Sequence, residues 1–295
     1  INQSAPYPAQ QEDKYIVEQG LLSCYDIHSD GSGVCHSSKR RPLLNWRPTY
    51  LMPLHGLSVK PGGAAHLLAA DLYITDWLEA HGYSFDVLTD EDLDENPELL
   101  CHYAVVINGS HPEYYTERMM DGTMSYLKNG GHLMYLGGNG YFWVTSLTSD
   151  RVSIETRRAR TVRPWTSFAA EERHASTAEL GGAWKYRARP AQAMVGVGTT
   201  ALGFTSGQPH AITSEGRDAS LSWVFDGIDG ELIGDFPNLL YGTGAAGWEV
   251  DRADPNWGTP PEAVILATAR IEDDSYQQVV DELESAGGHT GGTQN

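Results

Sequence analysis

The chain has 295 residues, 40% of them hydrophobic and 10% aromatic, with a formal net charge of -19. That composition is enough to bury a sizeable core and excludes a disordered chain, while so acidic a balance excludes nucleic acid as a partner, since phosphate binding needs Lys and Arg to displace counterions. Three cysteines, Cys24, Cys35 and Cys101, form no CxxC pair and point to reduced thiols and a cytoplasmic location; no apolar run approaches a membrane span and no signal peptide is present.

Residues 1–20 are polar and proline-rich at the start and read as an arm or linker. From Leu21 to Tyr50 come short extended pieces around the turn that runs from His28 to Gly33. Asp26, His28 and Asp30 alternate there, so an extended strand would place them on one face as ligands for a hard metal ion. The competing reading is a polar turn in which Asp30, before Gly31, hydrogen-bonds its own backbone.

A helix is predicted over about residues 64–81, bracketed by Gly62-Gly63 and Gly82, with an apolar stripe of Leu67, Ala70, Ile74, Trp77 and Leu78. Tyr83, Phe85 and Val87 then alternate as a strand. A β-branched strand over Tyr103–Asn108 stops at Gly109-Ser110-His111-Pro112, and a second helix is predicted over about Glu113–Lys128, ended by Gly130-Gly131. His132–Leu136 forms another strand, running into Gly137-Gly138-Asn139-Gly140. Strands alternating with helices of this length imply right-handed crossovers and an α/β fold with a parallel sheet. Ligands of such folds bind beyond the carboxyl ends of the strands, which singles out the turn after Asn108.

Residues 150–190 are rich in Arg and Glu with weak periodicity and read as an excursion. Short β-like pieces follow at Met194–Val197, Leu221–Phe225 and Ala263–Ala269, read as β-rich additions to the same domain. The expected organisation is an arm over residues 1–20, one domain over 21–283 and a flexible Gly-rich tail over 284–295. The chain opens on Ile1 without a methionine, and reads as a piece of something longer.

Three chemistries compete for the turn and its neighbours. Ser110 beside His111 suggests a nucleophile, but the GxSxG elbow is absent and a turn serine capping the next helix is the commoner arrangement. Gly137–Gly140 follows a strand as a phosphate loop would, yet lacks GxGxxG spacing and is followed by the bulky Tyr141-Phe142-Trp143. Tyrosine phenolates can bind a hard ferric ion, which must offset roughly 4 kcal/mol for deprotonation at neutral pH. With 15 tyrosines present, chemistry alone does not choose among them.

The strings Cys24 to Val34, Ser38 to Pro42, Asn45-Trp-Arg-Pro48, Asp71-Leu-Tyr-Ile-Thr-Asp-Trp-Leu-Glu79, Gly109-Ser-His-Pro-Glu-Tyr114 and Glu179-Leu-Gly-Gly-Ala-Trp184 resemble the large subunit of N,N-dimethylformamidase. Gly227-Ile-Asp229, Gly234-Asp-Phe236 and Asp251 to Pro255 extend the resemblance, which runs from about Gly20 to Leu283. It implies a glutamine-amidotransferase-like (flavodoxin-like) domain that hydrolyses a small amide such as N,N-dimethylformamide, to formate and dimethylamine, without a cysteine nucleophile. It further implies one mononuclear iron, Fe3+, on two tyrosines and a glutamate. Tyr73 and Tyr114 match the tyrosines and Glu179 the carboxylate, with Glu155, Glu171 and Glu172 as alternatives.

The implied chemistry is Lewis-acid hydrolysis. His111, His174 and Asn139 are the candidates for proton transfer or orientation. The implied partners are a small helical subunit and other large-subunit segments or copies, because the family's large subunits are longer than this chain. The alternative from another class is a noncatalytic amidotransferase-like domain that binds a ligand or scaffolds an assembly.

Overall fold

The structure is a computed structural model, and it describes residues 14–15, 18–41, 67–159, 167, 171–236 and 244–279. Most of the expected arm, the Asn45–Pro48 string and the tail over 284–295 lie outside the described residues. The chain divides into two compact units, Ile1–Arg189 and Pro190–Asn295, where the sequence reading expects one domain.

The first unit holds the two helices read from sequence. α1 (Leu67–Ala80) turns Asp71, Ile74, Thr75 and Leu78 toward the protein and exposes Tyr73 (57%) and Trp77 (50%). α2 (Asp90–Glu95) is a short helix closed by a Thr89–Asp92 capping box. α3 (Glu117–Lys128) begins at Thr116, whose hydroxyl accepts the Met119 N–H, and it buries Met119, Met120, Gly122, Thr123 and Tyr126.

Strand β1 (His36–Ser38) precedes these helices, and β2 (Val105–Asn108), β3 (Tyr114–Tyr115), β4 (His132–Tyr135), β5 (Trp143–Leu147) and β6 (Ser153–Thr156) complete the unit. β2 and β4 pair in parallel, Val105 opposite His132 and Asn108 opposite Tyr135. The buried Tyr126 of α3 ties their starts together: its hydroxyl is 3.1 Å from the carbonyls of Tyr103, Ala104 and His132 and accepts the His132 N–H. A second sheet runs β1-β6-β5-β3, with β3 parallel to β5 and the other pairs antiparallel. The parallel pairs expected of an α/β chain are therefore present, but β2 and β4 form a sheet of two strands and β3 and β5 sit in a small mixed sheet.

Several elements differ from the sequence reading. The second helix starts at Glu117 rather than Glu113, because Tyr114 and Tyr115 are drawn into pairing with Trp143 and Val144. Residues 83–88 alternate as a strand should but form none, having no ladder partner among the described residues. The 150–190 excursion is not irregular throughout: its first part is β6, antiparallel to β5.

The second unit is built on β7 (Gly198–Gln208), flanked by β10 (Ala246–Arg252) and β12 (Gln277–Gln278), both antiparallel to it. Ala201, Ile271 and Tyr276 form its buried cluster, with Val250 packed against it. β8 (His210–Ile212) pairs separately with β9 (Leu232–Ile233) and β11 (Ala267–Thr268). Two expected β pieces are helical: α4 (Gln192–Val195), ended by left-handed Gly196, and a 3-10 turn over Ser222–Phe225. Short apolar runs do not distinguish buried strand from helix.

Candidate active site around Tyr114

The turns leaving β2 and β4 meet. Gly109 lies so close to the Asp71 carboxylate that a Cβ would sit 2.4 Å from Oδ1, and a Cβ on Gly137 would sit 2.4 Å from the Ser110 carbonyl oxygen. At Gly137 the obstacle is backbone and only glycine permits the approach, whereas a Cβ at Gly109 would push the Asp71 carboxylate aside. Asp71 of α1 accepts both the backbone N–H of Ser110 (2.7 Å) and its hydroxyl proton (3.0 Å). Ser110 is thereby occupied in holding helix to turn, its hydroxyl bonded to the Asp71 carboxylate rather than to a histidine. Further along, Tyr141 N–H donates to the Pro112 carbonyl at 2.7 Å, and Phe142 and Trp143 N–H donate to that of Glu113 at 3.1 and 2.9 Å.

The turn after β4 carries two left-handed residues that are not glycine, Asn139 and Tyr141, both at φ 55°. Asparagine tolerates this; for a bulky buried tyrosine it costs about 1–3 kcal/mol. Tyr141 is held there by its hydroxyl, which donates to Asn108 Oδ1, and by rings of Tyr115 and Tyr135 at 4.6 and 5.8 Å. Asn139 is 6% exposed in the middle of the turn.

A polar cluster forms where β3 leaves the turn. The Tyr114 hydroxyl is 2.7 Å from the Tyr25 hydroxyl and 3.5 Å from Nη2 of Arg158, which donates to it. Glu113 is 5% exposed and accepts from Trp143 Nε1 at 2.8 Å, while its other oxygen lies 3.3 Å from His111 Nε2. Arg158, 1% exposed, stacks on the Trp143 ring at 4.4 Å and over Tyr25 at 5.0 Å. Burial and then the Glu113 carboxylate push the Tyr114 phenol far above its ordinary value, against the opposing pull of Arg158 and Tyr25. Tyr25 is raised for the same first two reasons. At neutral pH both hydroxyls are protonated hydrogen-bond donors.

His174 and Glu179 belong to a second cluster, on the loop over residues 171–181. His174 is 1% exposed, its Nδ1 meets the Ser146 hydroxyl, and its Nε2 has no hydrogen-bond partner. Burial lowers its pKa from 6.5 to about 4, against the pull of the Glu155 carboxylate. The ring is therefore neutral in the folded protein. Below pH about 6.5 the unfolded chain takes up a proton that the folded one refuses, so this site's contribution is intact above that pH and is lost on acidification toward pH 4. The loss approaches about 3 kcal/mol; urea unfolding between pH 7 and 5 should show it, and His174→Gln should flatten the dependence.

Glu179 gives one carboxylate oxygen to Arg187 at 2.5 Å and the other to the Thr177 hydroxyl at 3.0 Å. Glu155 is wholly buried and accepts from Ala175 N–H, Ser176 N–H and the Ser176 hydroxyl. Glu171 is exposed and Glu172 partly buried.

The predicted residues thus separate. His111, Tyr114 and Asn139 lie on or between the two meeting turns. His174 and Glu179 lie on the loop over residues 171–181. Tyr73 is on the exposed side of α1, about 200° around the helix from Asp71, and among the described residues no hydrogen bond or ion pair links it to Tyr114 or Glu179. Nor does one join Tyr114 to Glu179, and the iron that the resemblance implies stays a proposal. No group of three His, Cys, Asp or Glu among the described residues makes a metal site. Asp26 caps Ser23 N–H and Asp30 accepts Ser32 N–H at 2.9 Å, which are turn contacts. The described cysteines form no disulfide with one another, and no described helix is long and apolar enough to cross a membrane.

Four members of the Tyr114 cluster escaped the sequence reading: Tyr25, Glu113, Trp143 and Arg158. Tyr25 and Glu113 lie inside quoted strings; Arg158 had no local signal, since it comes from the Arg-rich excursion.

Comparison with known proteins gives a consistent result. Residues 14–293 match a family described as N,N-dimethylformamidase beta subunit-like, C-terminal. The N,N-dimethylformamidase beta subunits of Paracoccus aminophilus and of an Alcaligenes species are each 38% identical to the chain over 251 residues, covering 84% of it and 32% of each relative. The chain spans about a third of the length of these curated relatives.

Proposed function

Since the chain belongs to the N,N-dimethylformamidase beta subunit-like, C-terminal family, we propose that it is the catalytic portion of an amide hydrolase that cleaves the C–N bond of N,N-dimethylformamide or a similar small amide. The observation that carries this is the Tyr114 cluster, in which protonated donors and a histidine–carboxylate pair stand beside two meeting turns. The Tyr114 hydroxyl donates to the amide carbonyl oxygen and stabilises the negative charge that grows there when water attacks. His111, oriented by Glu113 at 3.3 Å, takes the proton from that water and returns it to the departing dimethylamine. Asn139 orients the amide. Formate is the other product.

The cofactor in this proposal is one Fe3+ per chain, as the family resemblance implies. The steps above are those of this chain's own side chains. We further propose a cytoplasmic location and a glutamine-amidotransferase-like fold. The relatives are named as beta subunits, and we extend this to the chain as work alongside further subunits or segments.

The test is product analysis with a metal count. Incubation with dimethylformamide should release formate and dimethylamine one for one, from protein carrying about one iron per chain. A folded chain that releases neither, alone or with its partner polypeptides, would instead mark a noncatalytic binding or scaffolding domain.

A further inference from the structure

Tyr25 is 89 residues from Tyr114 in sequence, yet their hydroxyls are 2.7 Å apart. Its own position is closely determined. The preceding Ser23 and Cys24 are 0% exposed, Asp26 accepts the Ser23 N–H at 2.7 Å, and Tyr25 N–H donates to the Ser23 hydroxyl at 3.1 Å. Val34 N–H closes the following loop onto the Asp26 carbonyl at 3.0 Å. Arg158 grips the aromatic end, with its guanidinium over the Tyr25 ring and Nη2 3.5 Å from the Cys24 carbonyl.

Tyr114 needs such a partner. Its backbone is held by the pairing with Trp143 and by the two N–H groups on the Glu113 carbonyl. The phenol oxygen lies several bonds beyond that anchor, where small rotations displace it. Groups that act on a reacting atom must be held within about 0.5 Å, and misplacement by about 1 Å costs on the order of a hundredfold. We propose that Tyr25 is the positioning residue of the site: its hydroxyl sets where the Tyr114 phenol oxygen stands, with Arg158 and Trp143 steadying the pair. This rests on the reading of Tyr114 as the centre of amide hydrolysis, and it brings the segment over residues 21–34 into the site.

Tyr25→Phe removes one oxygen and leaves the ring that Arg158 covers. For dimethylformamide hydrolysis, kcat should fall about tenfold, the worth of one hydrogen bond, with KM changed less than about twofold. In a Tyr114→Phe background the same substitution should cost nothing further, because Tyr25 acts through Tyr114. An unchanged kcat, or an equal loss in both backgrounds, would overturn the proposal. A second readout needs no activity. In the chelator-treated full chain labelled at the tyrosine ring carbon bearing the hydroxyl, the Tyr114 signal, assigned by its loss in Tyr114→Phe, should move in Tyr25→Phe and stay in Tyr73→Phe. An unmoved signal overturns the positioning claim even if the amide is hydrolysed. An inactive wild type overturns the hydrolase reading, while the carbon shift still decides the contact.

Discussion

Glu155→Ala should destabilise the protein by about 3–5 kcal/mol, because it takes a wholly buried carboxylate away from the donors that surround it. Glu155 is 0% exposed on β6 and accepts from Arg157 Nε at 2.8 Å, Ala175 N–H at 2.8 Å, and Ser176 N–H and hydroxyl at 3.0 and 2.8 Å. Without it, those donors lose their acceptor and the loop that carries His174 and Glu179 loses its tether to the sheet. Burial alone would raise the Glu155 pKa; the Ala175 N–H, Arg157 and Ser176 outweigh it and bring the value from 4.5 to about 2. A depressed carboxylate contributes fully above its unfolded value, so this stabilisation is present above pH about 4.5 and disappears as pH falls through about 2. Urea midpoints at pH 7 should separate wild type from Glu155→Ala, and the gap should close in acid. Glu155→Gln, which keeps an acceptor oxygen, should lose less.

Tyr114→Phe should reduce dimethylformamide hydrolysis by about 10²–10³-fold, the range for loss of one donor to a developing oxyanion. Stability should change less, since the ring stays between its neighbours and what is lost is one hydrogen bond to the Tyr25 hydroxyl, worth about 1 kcal/mol. A variant that unfolds at the wild-type midpoint but hydrolyses at the wild-type rate would remove Tyr114 from the reaction. Iron counted on the same preparations separates two roles for this phenol: about one per chain in both points to a lost hydrogen-bond donor, and a loss in the variant to a lost ligand.

The core of the site was legible for physical reasons. Val105-Val106-Ile107 followed by Gly109 and Pro112 can scarcely be anything but a strand ending in a turn, and Gly137-Gly138 marks a second turn; that the two turns touch is visible only in the structure. The start of α3 was misplaced because Tyr114 and Tyr115 suit either state, and pairing with Trp143 and Val144, nearly 30 residues away, decided for strand. The alternating stretch at 83–88 shows the reverse: a strand pattern is an offer that a neighbouring strand must accept. Tyr25 and Arg158 were illegible because their meaning lies in what they touch. A buried arginine between two aromatic rings looks in sequence like one more charge in an Arg-rich segment. Glu155 was weighed as a metal ligand, and the structure instead commits it to backbone N–H groups and Arg157.

The most direct test of a centre at Tyr114 rather than at the serine of the preceding turn is one paired assay. Dimethylamine release from dimethylformamide is compared for Ser110→Ala and Tyr114→Phe at matched folded concentration. The account predicts that Ser110→Ala keeps most of the wild-type rate, since Ser110 is bonded to Asp71, while Tyr114→Phe loses at least about a hundredfold. The opposite pattern, a dead serine variant beside an active tyrosine variant, would contradict it.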